Sequence, residues 1–174
     1  DEEKKARDVL ERWRKRSEDL LRKAEDVLRE WRERSERSFK RLRDVLEEAR
    51  KRVEELNVPE EILREIRRRL EEMKREIEKL LKEDRDALKE LADRIRKIVE
   101  DDRRKLRRIE KIVRETKIDD ELVREIEEVV KETEKRVEEL IKEIREMVKK
   151  NEREVREIER RLEETLEKID RDRK

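Results

Sequence analysis

Three long stretches of this chain carry apolar residues at i, i+3, i+4 and i+7, the spacing that gathers them on one face of a helix. Within each stretch the pattern returns every 18 residues. In the first, Asp8-Val9-Leu10 recurs as Asp26-Val27-Leu28 and Asp44-Val45-Leu46, followed in turn by Trp13, Trp31 and Ala49. In the second, Leu70, Leu88 and Leu106 form one series and Met73, Leu91 and Ile109 another; in the third, Leu122, Leu140 and Ile158 do the same. Eighteen residues over five turns is about 3.6 per turn, the period of a straight helix, whereas heptads impose a left-handed supercoil. A heptad started at Ala6 passes through Trp13, Leu20 and Val27, then lands on Arg34, Arg41 and Glu48. The pattern therefore predicts straight helices with little or no supercoil.

Two short breaks separate the stretches. At Asn57-Val58-Pro59-Glu60-Glu61, proline cannot continue the preceding helix but suits the first turn of the next, and Asn57 is the best local candidate for a left-handed cap. At Lys117-Ile118-Asp119-Asp120-Glu121, Asp119 can accept from free backbone N–H groups at a helix start. The expected helices span about 2–57, 59–116 and 119–172, each on the order of 80 Å long. Connections this short make neighbouring helices antiparallel. The fold class is all-α: a single-chain antiparallel three-helix bundle, one elongated domain over 1–174.

Antiparallel pairing imposes a numerical condition, because residues at the same height on two antiparallel helices have numbers that add to a constant. The polar interruptions of the stripes meet it. Ser17 and Ser35 occupy the stripe position filled by Val53 in the first helix, Asp102 and Asp84 that of Ile66 in the second, Thr133 and Asn151 that of Ile169 in the third. Facing residues add to 119 between the first and second helices and to 235 between the second and third. The same constants align Leu10 with Ile109 and Ile126, Leu28 with Leu91 and Ile144, and Leu46 with Met73 and Leu162. Two polar layers result, Ser17/Asp102/Thr133 and Ser35/Asp84/Asn151, 18 residues and roughly 27 Å apart along the helices.

Trp13 and Trp31 lie one turn before the two serines, so each indole N–H is expected to reach the neighbouring aspartate. A carboxylate taken out of water needs such donors. These eight side chains are the candidate site, read as hydrogen-bond networks that fix register. A pH response is the sharper alternative, and its sign depends on whether burial or the donors dominate. Each layer offers one carboxylate and a few neutral oxygens, short of the six to eight oxygens that calcium takes, and zinc's usual thiolate and imidazole ligands are absent. No metal or other cofactor is expected.

Charged residues make up 64% of the chain and apolar ones 31%, a ratio that would suggest disorder without the periodic stripes. The chain has no histidine, cysteine, tyrosine or glycine. That removes imidazole bases, thiolate nucleophiles, phenols and glycine-rich phosphate loops, and an enzyme is not expected. Lys and Arg number 56 against 55 Asp and Glu, with the signs interspersed, so no nucleic-acid partner is expected. Residues 1–56 hold 19 basic and 17 acidic side chains, 57–118 hold 21 and 17, and 119–174 hold 16 and 21, which favours packing of the third helix on the other two. The run Arg12-Trp13-Arg14-Lys15-Arg16 is read as a solvated face around one core tryptophan. No apolar run reaches membrane-spanning length and no signal peptide is visible. The expectation is a soluble monomer suited to recombinant cytoplasmic expression, with helix-mediated self-association as the other option.

The 18-residue Asp-Val-Leu repeat, the two connectors and the nearly saturated Glu/Lys/Arg surface resemble those of computationally designed, parametrically generated three-helix bundles, particularly the untwisted kind. The resemblance covers the whole chain. It implies a highly stable monomer without natural biochemical function, made as a scaffold. That family's core is almost purely apolar, so the two polar layers are a departure that leaves room for a register lock, a switch or a host for a binding site. The alternative is an interaction or switching module in which a helix is displaced or helices associate between chains. Natural spectrin-type bundles follow heptads and ordinary composition, and this chain follows neither.

Overall fold

The connectors decide where each helix stops. In the computed structural model, which describes residues 2–173 with side chains to Arg171, the helices are α1 (Glu2–Glu54), α2 (Glu60–Glu115) and α3 (Asp120–Arg173). α1 ends three residues before the position expected from its stripe. Its last turn tightens into i to i+3 bonds, Glu55 N–H donating to the Arg52 carbonyl and Leu56 N–H to that of Val53, each at 3.1 Å. These bonds satisfy terminal carbonyls without a left-handed residue. Asn57 is accordingly not a left-handed cap, since no described residue has a positive φ. Pro59 stands one residue ahead of α2, its carbonyl accepting from Ile62 at 3.0 Å and Leu63 at 3.2 Å. Asp119 caps α3 as expected: its Oδ1 accepts from the Leu122 N–H at 2.8 Å and its carbonyl from Val123.

The three helices pack as an all-α bundle, with no strand among the described residues. They form two compact units. The first comprises residues 1–29 and 89–146 and contains the α2–α3 connector; the second comprises 30–88 and 147–174 and contains the α1–α2 connector. In the first unit Ala6, Val9, Leu10, Trp13, Ile109, Val123 and Ile126 make one apolar cluster. Here Leu10, Ile109 and Ile126 meet as the index rule requires. The second unit is built around Phe39, Leu42, Leu46, Ile66, Met73, Ile77, Leu162 and Ile169. Leu46 meets Met73 and Leu162, and Val53 meets Ile66 and Ile169, again at the predicted heights. Burying a side chain of this size contributes about 1.5–3 kcal/mol.

Ion pairs across helix edges carry the same 18-residue step. Along α1 and α3, Arg16 pairs with Glu134 at 3.6 Å in the first unit; in the second, Arg34 pairs with Glu152 at 3.1 Å and Arg52 with Asp170 at 3.5 Å. Between α2 and α3, Arg94 pairs with Glu143 at 2.7 Å in the first unit, and the charge-reversed pair Glu76–Arg161 stands in the second. Exposed pairs of this kind are worth about 0–1 kcal/mol each.

Candidate functional site

Asp84 is the most deeply enclosed charged group among the described residues, 4% exposed in the second unit. The serine on α1 and the asparagine on α3 converge on it because both occupy apolar stripe positions turned inward. Ser35 Oγ donates to Asp84 Oδ2, and Asn151 Nδ2 donates to Asp84 Oδ1 at 2.9 Å. One carboxylate thus ties all three helices at one height.

The corresponding layer of the first unit is less complete. Ser17 Oγ donates to Asp102 Oδ2 at 2.7 Å, joining α1 to α2. Thr133, which the index sum sets opposite Asp102, is buried on α3, yet its Oγ1 has no hydrogen-bond partner, and neither has Asp102 Oδ1. Asp102 itself is only half-buried. Five of the six stripe residues are buried and the sixth, Asp102, is half-buried; hydrogen bonds join three of them in one layer and only two in the other.

The tryptophans meet the expectation in reach but not in hydrogen-bond geometry. Trp13 and Trp31 are buried beside the aspartates, near enough to favour their ionised forms, but neither Nε1 completes a hydrogen bond. The serine hydroxyl takes Oδ2 in both layers, and the indole ring is fixed by the apolar residues around it; in the first unit Trp13 packs with Ala6, Val9, Leu10 and Ile126. Shape, in this case, overrides the last hydrogen bond.

Burial decides the electrostatics. Desolvation is the largest influence on both carboxyls and raises each above the ordinary aspartate value of 3.8, with the serine and the tryptophan pulling the other way. Next in order come unlike neighbours: Glu154 on α3 raises Asp84 further, whereas Lys105 on α2 lowers Asp102. One repeat away these positions hold Arg136, paired to Asp101 at 3.5 Å, and Ala87. The two layers thus share geometry but not charge surroundings.

A folded pKa raised above the unfolded one means that the native state binds the proton more tightly. Its stabilising contribution is complete below pH 3.8 and is lost as pH rises through the raised value. Surface groups act oppositely: Arg94 holds the Glu143 carboxyl below its ordinary value, a contribution lost on acidification. The neutral double variant D84N/D102N isolates the layers from this background. From pH 7 to pH 4, the denaturation midpoint of the parent is expected to rise relative to that of the variant. A difference that stays constant with pH would mean that the buried carboxyls titrate normally.

No family model, curated protein or solved structure matches this chain. What the arrangement can do chemically therefore rests on the side chains alone. Among the described residues no three carboxylate, imidazole or thiolate side chains converge as a metal-binding group, and no helix is long and apolar enough to cross a membrane.

Three features escaped the pattern. Thr165 is a further buried polar residue on α3, but its hydroxyl donates to the Arg161 carbonyl of its own helix at 2.9 Å and joins no layer. Its signal was the replacement of Met147 and Val129 by threonine at the same stripe position. Ser38 replaces Leu20 and Leu56 in the repeat and, with Trp31, Ser35 and Asn151, lines a groove of about 380 Å³ in the second unit. Glu154 and Lys105 modulate the aspartates from outside the stripes.

Proposed function

We propose that this chain is a computationally designed structural scaffold in which the two polar layers select one register of three helices. The observation that carries the reading is the hydrogen bonding of Asp84 to Ser35 and Asn151, which joins three helices at the height set by the sequence arithmetic. An 18-residue repeat leaves a slip of one repeat sterically comfortable, because apolar positions would still meet apolar positions. Such a slip would set a serine, aspartate, threonine or asparagine against Val53, Ile66 or Ile169 and leave its polar atoms unpaired. A buried polar residue that specifies alignment at some expense in stability is a known device in helical assemblies.

The surface supports a self-contained chain. Ile112, at 41%, is the one exposed large hydrophobic residue among those described, so no contiguous apolar patch invites a partner. The test is absolute mass by light scattering over a dilution series. A mass of 21.9 kDa at every concentration is expected. A concentration-dependent rise would replace the scaffold reading with helix-mediated assembly.

A further inference from the structure

We propose that the Thr133 layer of the first unit is a binding site for one water molecule, held by Asp102, Thr133 and Trp13. The chain contains the same layer twice, and the comparison exposes what is missing from one copy. In the second unit Asn151 Nδ2 reaches Asp84 Oδ1 directly. In the first, the residue one repeat earlier is Thr133, whose hydroxyl sits on Cβ, one bond short of an asparagine amide. Asp102 Oδ1, Thr133 Oγ1 and Trp13 Nε1 are all buried without a hydrogen-bond partner. Three such atoms in one layer are rare in a folded protein, where most buried polar groups are paired.

Their chemistry selects the ligand. Asp102 Oδ1 accepts, the indole Nε1 only donates, and the threonine hydroxyl does either. Water accepting from Trp13, donating to Asp102 and sharing a bond with Thr133 makes about three hydrogen bonds, the usual number for a buried water. A metal cation would meet the indole N–H, and an anion would meet the carboxylate. A groove of about 390 Å³ lined by Trp13, Ser17, Leu21, Val99, Asp102 and Leu106 gives solvent a route to the layer. In the second unit Trp31 Nε1 is the only orphaned atom of the Asn151 layer, and one partner is too few to hold a water.

The test is a high-resolution crystal structure of the parent and of T133N, with water-to-indole cross-relaxation measured by NMR in both. The parent should show a peak within hydrogen-bond distance of Asp102 Oδ1 and Thr133 Oγ1, and the Trp13 indole proton should sense a long-lived water. In T133N the amide should occupy that place and both signals should vanish. Direct donation from Thr133 or Trp13 to Asp102 with no intervening peak would overturn the assignment. So would a peak that survives T133N, or one at metal–oxygen distances. The parent alone decides between water and direct contact, so the result does not depend on the variant folding.

Discussion

Asp84→Ala is expected to lower the unfolding free energy at neutral pH by about 2–4 kcal/mol, because it leaves two buried donors without an acceptor and opens a small void. The Ser35 hydroxyl and the Asn151 amide both point at the lost carboxylate. Removing a desolvated carboxylate recovers part of this loss, and water entering from the groove that Ser35 and Asn151 line recovers a further part, so the figure is a net one. Converting the whole layer should have the opposite sign. The residues to use are already in the same unit: Val53, Ile66 and Ile169 fill the equivalent stripe positions and are 1%, 2% and 0% exposed. The triple variant S35V/D84I/N151I is therefore expected to match or exceed the parent, by up to about 4 kcal/mol. Guanidinium denaturation of the three proteins checks both signs. A single alanine variant as stable as the parent would mean that desolvation of the carboxylate outweighs its hydrogen bonds. A triple variant less stable than the parent would mean that the layer is a source of stability, and the register argument would lose its basis.

Phe39→Ala should be more damaging still, at about 3–5 kcal/mol, since an aromatic ring is removed from a site that cannot collapse around the gap. Phe39 is the chain's only phenylalanine and is 0% exposed, in one cluster with Leu42, Leu46, Leu80 and Val155. Leu21 holds the same position one repeat earlier, so Phe39→Leu restores the repeat and should cost only about 1–1.5 kcal/mol. Denaturation midpoints and slopes separate the two, a constant slope showing that the folded state is unchanged. Equal losses for alanine and leucine would indicate that the ring's particular shape, and not the volume it fills, holds the second unit together. Taken with the layer variants, this tests a division of labour in which apolar layers stabilise and polar layers select.

Much of this is legible in the order of the residues. Apolar spacing located three helices, proline and Asp119 located their starts, and the constant index sums placed Ser35, Asp84 and Asn151 at one height. The misreadings share a cause. The end of α1 and the cap at Asn57 depend on backbone orientations within about an ångström, as does the angle at which each indole N–H meets its aspartate, and residue spacing specifies none of these.

The order of residues dictates which side chains face inward and at what height they meet, because helical periodicity and antiparallel numbering depend on nothing else. How completely each layer is satisfied, and which way its carboxyls shift, is set by packing in three dimensions. Asp84 is closed off and doubly bonded, whereas Asp102 is half-exposed with one oxygen unpaired. That difference arises from the reach of one side chain, asparagine against threonine, and from how tightly three helices close around each carboxylate. Hydrogen bonds and desolvation vary steeply over distances that the period of a helix cannot encode.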